Sequence, residues 1–308
     1  MCSSDLDAVH AAVAGVDLVF NNVAQVPLAK DPELLRTVNV DGTRVLLAAC
    51  LEQGVRKVVH TSSSAVFGIP TANPVMPRTV PSPVEEYGHA KLAAEWACLD
   101  AIRCGLDITI IRPRTILGHG RLGIFAILFE WVADGADIFV LGDGSNRYQF
   151  LHADDLADAC IRAGASPGPG VFNVGAAEFD SMRESLEALC AHAATGSAVR
   201  SLPAALASRA MHAAARLGLA PFAPYHWLMY SKSLWFDLQH AQDGLGWRPQ
   251  WSNAAMLVDS YEWYCANRAA TSDGPSHHRT AARQGALVAL KTLTRSEDTR
   301  LNSSHGYI

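Results

Sequence analysis

No apolar run in this sequence reaches the roughly 18 residues that a membrane span requires. A basic excess is missing too. The 25 Lys and Arg stand against 30 Asp and Glu, a net charge of −5, which leaves no electrostatic footprint for nucleic acid. The 7 cysteines are scattered singly, none in a Cys-x-x-Cys pair, a pattern that fits a reducing cytosol better than a disulfide framework. The opening "MCSSDLDAVH" has neither a basic nor an apolar segment, so no secretory leader is expected in it. There is no internal repeat. Cytoplasmic localisation is the expectation.

What remains is an ordinary globular composition, 49% hydrophobic and 18% charged over 308 residues, enough for one large or two modest domains. The runs "VDLVF" (16–20), "RKVVH" (56–60) and "DITII" (107–111) read as short, fully buried strands. Between them lie the helical stretches "VDGTRVLLAACLEQG" and "YGHAKLAAEWACLDAIRCG", each ending in the glycine that commonly stops a helix. Buried strands alternating with helices predict an α/β fold with a parallel sheet. "RAGASPGPG" reads as a turn-rich connector and "VFNVG" as one more strand. Residues 180–268 read as mainly helical, with a Trp/Tyr cluster at 225–264 that suits a lobe core.

The chemistry-bearing stretch is "EEYGHAK". Tyr87 and Lys91 stand four apart at the start of a helical run, so both share one face. Alone, such a pair is commonly just an exposed helix pair. Its company matters. "HTSSSAVFG" (60–68) follows a predicted strand directly, which puts its serines at the carboxyl edge, where open α/β sheets bind ligands. Lys91 would favour the Tyr87 phenolate, and Ser63 would hydrogen-bond a substrate oxygen. This is equipment for moving a proton on an alcohol while hydride leaves its carbon, and it implies a nicotinamide cofactor.

On these residues the chain resembles the extended short-chain dehydrogenases/reductases, in the NAD-dependent epimerase/dehydratase group typified by UDP-galactose 4-epimerase. The resemblance runs from about Asp7 to Arg268. "GVDLVFNNVA" is similar to the family's fourth strand and cofactor loop, which implies cofactor contacts at Val23, Ala24 and Gln25. "VNVDGT" matches an Asn-x-x-Gly-Thr element and makes Asn39 the residue supporting the site. "TSSSAVFG" makes Ser63 the catalytic serine, with Ser62 beside the cofactor. "YGHAK" supplies Tyr87 and Lys91. "RPRTILG" places Pro113 by the nicotinamide and points Arg114 and Thr115 towards substrate. "FLHADDLADAC" and "LGWRPQWS" match two later blocks. The implied cofactor is NAD, with NADP not excluded, and the implied assembly is a homodimer through the helices at 39–53 and 83–104.

The chain also departs from the family. Phe67 stands where Tyr is usual. "FNNVA" replaces a more common His-containing loop. Tyr148 occupies the place, shortly before "FLHADD", where the family's sugar-diphosphate enzymes often carry Arg, with Arg147 beside it, and the two become the remaining substrate candidates. The family opens with a strand, a Gly-rich turn and a helix that hold the pyrophosphate. Counterparts of about 60 such residues are not found here, so the chain as written is expected to bind NAD weakly or not at all and to leave "VDLVF" at a sheet edge, with residues 7–290 alone insoluble or aggregating as the consequence. "CSSDL" (2–6) and "RSEDTRLNSSH" (295–305) read as translated sequencing adapter flanking an assembled fragment, the plain alternative being a genuine polar tail. "GHGRLG" (118–123) fits the dinucleotide-loop pattern letter for letter, but "RPRT" is read as separating it from the preceding strand, which makes it a substrate loop or a plain loop. His152, Asp154 and Asp155 read as a helix start, so no metal site is expected. His277 and His278 fall in a polar tail.

The expected organisation is a partial Rossmann-type domain over 7–175, a smaller, mainly helical substrate lobe over 176–270, and a tail over 271–308. The expected activity is hydride transfer on a nucleotide sugar or similar secondary alcohol, with Tyr87 as acid/base. A 3β-hydroxysteroid dehydrogenase or dihydroflavonol-reductase-like enzyme is the alternative. From another class, a non-catalytic binding protein of the same fold, or an inactive fragment, stays open.

Overall fold

The computed structural model describes residues 3–26, 31–123, 125–203 and 232–268. The polar tail with His277 and His278, the adapter-like stretch at 295–305 and the 225–231 part of the aromatic cluster lie outside them. The chain divides into two compact units. One comprises residues 1–115, 154–177 and 234–250, the other 116–153, 178–233 and 251–308.

The first unit holds a four-stranded, all-parallel sheet in the order β1 (Leu18–Asn21), β2 (Lys57–Thr61), β3 (Ile108–Pro113), β7 (Gly170–Val174). Every strand foreseen from the apolar runs is there. The two edge strands depart from full burial: β7 begins half-buried, and in β1 Phe20 is 42% exposed. Parallel strands need crossovers, and helices supply them. α1 (Ser3–Val13) precedes β1. α3 (Gly42–Glu52) and α4 (Glu86–Arg103) follow, and they pack on the face that presents Val58, Ile108 and Ile110. On the opposite face, α6 (Ala153–Ala165) brings Gly164 against Leu18, and α8 (Gln239–Leu245) stacks His240 on Phe172 at 4.9 Å. Gly54 and Gly105 end α3 and α4 with φ of +71° and +100°, the left-handed backbone that glycine tolerates.

One local feature went unforeseen. A short α2 (Pro32–Arg36) runs through a π-helical turn, Thr37–Asp41, into α3. The extra residue per turn rotates Asn39 inward, where it is 1% exposed.

The second unit is not purely helical. α7 (Met182–Ala193), closed by a Ser181–Glu184 capping box, and α9 (Asn253–Ala266) pack around Phe129, Tyr261 and Tyr264. β5 (Ile138–Leu141) pairs in parallel with β8 (Val199–Leu202). β4 (Thr115–Leu117) and β6 (Phe150–His152) form a two-stranded sheet. This corrects the reading of "GHGRLG": β4 runs directly into Gly118, and α5 (Phe125–Ala133) follows. The stretch does join a strand to a helix, but that strand belongs to the small sheet rather than to the parallel one. No described helix is long and apolar enough to cross a membrane.

Candidate active site

The carboxyl ends of β1, β2 and β3 carry most of the residues singled out by sequence. Asn39 pins the loop after β1. Its Oδ1 accepts from the Gln25 amide at 2.7 Å, and its Nδ2 donates to the Gln25 carbonyl at 3.0 Å. One buried side chain thus satisfies both main-chain groups of a loop residue. Ala24 and Gln25 are half-buried, while Val23 stands 71% exposed.

β2 ends in a tight turn. Ser63 Oγ accepts from the Ala65 amide at 3.2 Å and caps the short 3₁₀ turn Ser64–Phe67. Ser63 is half-buried, whereas Ser62 is buried and its hydroxyl turns inward, donating to Glu95 at 2.5 Å.

α4 brings its amino end to this turn. Glu85 caps it, accepting from the Tyr87 and Gly88 amides at 2.8 and 2.7 Å, and burial pushes the Glu85 carboxyl above its usual range. Gly88 lies against the serine turn so closely that a Cβ would sit 2.6 Å from the Ala65 carbonyl oxygen. Lys91 Nζ donates to the Thr61 carbonyl at 2.6 Å, directly at the end of β2. Tyr87, half-buried, stands one turn before Lys91 on the same helix. Burial pulls the Lys91 ammonium down to about 8, with Cys98 and Glu95 acting in the opposite direction. His60, fully buried on β2, is held well below its usual value, first by burial and then by the Lys91 charge.

β3 places Pro113 at its buried end, followed by half-buried Thr115. Arg114 is 2% exposed; its guanidinium donates to Ser64 Oγ at 2.9 Å and lies 5.6 Å from the Phe236 ring centroid. Arg147 and Tyr148 belong to the second unit. Arg147 is exposed and lies over Phe179 at 4.7 Å, and Tyr148 is buried beside Phe150 at 5.2 Å. His152 stacks on Trp251 and meets Asp259, while Asp154 and Asp155 open α6, Asp155 accepting from the Gln250 amide. Among the described residues no group of three His, Cys, Asp or Glu could hold a metal ion.

Sequence patterns had not singled out Glu95 or Arg112. Both are buried and joined by two hydrogen bonds, 2.9 and 2.6 Å. The available signal was spacing: Glu95 stands four residues after Lys91, and Arg112 directly precedes Pro113.

A model of the NAD dependent epimerase/dehydratase family matches residues 2–175. The chain belongs to that family. The uncharacterized protein y4nG of Sinorhizobium fredii is 49% identical over 288 residues, 93% of this epimerase/dehydratase-family chain and 73% of that protein. UDP-glucose 4-epimerase of Mycolicibacterium smegmatis is 36% identical over 196 residues, 58% of this chain and 62% of that one. Among solved structures, UDP-glucuronic acid 4-epimerase from Bacillus cereus in complex with NAD aligns with a TM-score of 0.68 at 22% identity, over 84% of this chain and 77% of that one. At that identity the likeness is one of fold, and it agrees with the parallel sheet and flanking helices described above.

Proposed function

We propose that this family member is an NAD(P)-dependent epimerase/dehydratase-type enzyme acting on a nucleotide sugar or a similar secondary alcohol. One observation carries the reading. Lys91 Nζ on the Thr61 carbonyl, with Gly88 against Ala65, seats the Tyr87–Lys91 turn of α4 on the serine turn at the carboxyl end of β2.

The residues present fit the nicotinamide half of a dinucleotide cofactor. Asn39 holds the 23–25 loop from below, Val23 offers an exposed apolar side chain there, and Lys91 supplies a buried cation. The cofactor supplies the hydride acceptor that oxidation of an alcohol needs. Val23, Ala24, Gln25, Asn39 and Pro113 would line its site, with Tyr87 and Lys91 at its reactive end. Ser62 would act there through its neighbour, since its own hydroxyl is given to Glu95.

Tyr87 takes the proton from the substrate hydroxyl. Lys91, its charge one turn away, favours the phenolate this requires. Ser63 accepts from the Ala65 amide and so keeps its own proton to donate to the substrate oxygen. Arg114, Thr115, Arg147 and Tyr148 remain substrate candidates; of these, Arg147 and Thr115 are the ones with substantial exposure. A uridine-diphosphate sugar is favoured by the UDP-glucose 4-epimerase likeness. A cytoplasmic homodimer completes the proposal.

The test is turnover of UDP-glucose with NAD by the purified protein and by Tyr87→Phe. Loss of about 10²–10⁴-fold in kcat, with NAD affinity kept, is expected of a deleted acid/base whose ring still packs. Near-normal turnover in Tyr87→Phe would overturn the assignment.

A further inference from the structure

The sheet face beneath α4 should be apolar, yet polar side chains cross it. Parallel register sets Asn21 beside His60 and Arg112 beside Asn173 on that face. Ser62, two residues beyond His60, joins them. All are buried, as are Lys91 and Glu95 of the covering helix. The centre of this row is the Glu95–Arg112 ion pair, with side chains 3% and 9% exposed. Burying such a pair gives little stability over apolar residues of the same size. Its connections are more informative than its strength.

Glu95 Oε1 accepts from both Ser62 Oγ and Arg112 Nε, and Oε2 accepts from Arg112 Nη2. The same Arg112 guanidinium lies 5.0 Å from the centroid of Phe67. The Ser63-to-Phe67 turn is therefore gripped at both ends, at Ser62 by Glu95 and at Phe67 by Arg112. Glu95 sits one turn beyond Lys91 on α4, and Arg112 directly precedes Pro113.

We propose that Glu95 is the positioning residue of the site: through Ser62 and Arg112 it fixes the Ser63–Phe67 turn against the Tyr87–Lys91 face of α4. The catalytic meaning of that placement rests on the proposed function; the placement itself does not. Glu95 touches neither cofactor nor substrate. Its negative charge also offsets part of the burial that draws down the Lys91 ammonium.

Two variants separate positioning from plain stabilisation. Glu95→Leu with Arg112→Met replaces the pair by apolar groups of similar size, which should hold the Tm while releasing the turn. Ser62→Ala removes one grip only and leaves the ion pair intact. Amide hydrogen exchange, read by mass spectrometry, follows Ala65 and Val66, whose N–H groups bond Ser63 Oγ and the Ser63 carbonyl. Exchange there should rise by about tenfold or more in both variants, while β2 amides are unchanged. With UDP-glucose and NAD as probes, kcat should fall by about tenfold or more with KM and NAD affinity nearly constant. Unchanged exchange in Ser62→Ala overturns the proposal even if the double variant does not fold. Faster exchange with undiminished kcat overturns it as well. If the unaltered protein turns over no UDP-glucose, the proposed function for that substrate fails, and the exchange measurement still decides whether Glu95 holds the turn.

Discussion

Replacing Lys91 by Met should separate stability from function, because the site holds an ammonium group where burial disfavours charge. Lys91 is 2% exposed and its ammonium donates to the Thr61 carbonyl. Burial lowers its pKa from 10.5 to about 8. Between those two values the unfolded chain binds more protons than the folded one, so folding stability rises with pH across that window. Below pH 8 both states are protonated and the full penalty is present. The separation of about 2.5 pH units, at roughly 1.4 kcal/mol each, makes the penalty about 3 kcal/mol. Lys91→Met carries no such group. Urea unfolding followed by circular dichroism at pH 7 and at pH 10.5 should therefore show the natural protein gaining about 3 kcal/mol relative to Lys91→Met as pH rises. Other titrating groups are common to both proteins and largely cancel. Turnover should move the opposite way, lost in Lys91→Met at every pH. If the two proteins keep a constant difference in stability from pH 7 to pH 10.5, the ammonium is not held in a site that disfavours it, and the electrostatic role assigned to Lys91 goes too.

Asn39→Ala strands both main-chain groups of Gln25 and should destabilise the protein by about 1–3 kcal/mol in urea unfolding while weakening NAD binding in calorimetry. An unaltered NAD affinity would detach the 23–25 loop from the cofactor. Gly88→Ala forces a Cβ to within 2.6 Å of the Ala65 carbonyl and 3.0 Å of Pro83, so α4 must shift; a loss of about 1–3 kcal/mol, read as a lower Tm, is expected. Trp96 and Leu99 on α4, 59% and 39% exposed, and Leu51 on α3, 36% exposed, are the apolar groups a homodimer through these helices would cover. Light scattering should give a dimer mass that falls to the monomer in Trp96→Glu, and a concentration-independent monomer mass for the natural protein would refute the assembly.

What the sequence disclosed and what it concealed follow one physical division. The strands of the parallel sheet announce themselves as apolar runs, and β1, β2, β3 and β7 are legible to within a residue or two. Short patterns of fixed spacing are what single out the site candidates Ser63, Tyr87 and Asn39, at a turn, a helix start and a π-helical turn. The π-helical turn that rotates Asn39 inward has no such pattern, since its letters are those of an ordinary helix. The short strands β4, β5, β6 and β8, three or four residues each, are too brief for periodicity to show. That is why "GHGRLG" looks detached from any strand in the sequence although β4 leads straight into it. Charged residues that face inward mislead most. Lys91 and Glu95, four apart on a helix, have the spacing of a solvated surface pair, and Arg112 beside a proline has the look of a strand end. Only the fold reveals that Lys91 and Glu95 face inward from α4 over the sheet face that carries Arg112, where Glu95 can accept from Ser62 and Arg112 at once. The candidates for chemistry are thus carried by local order. Those that hold them in place are joined across 17 and 33 positions of chain, and nothing local records such a link.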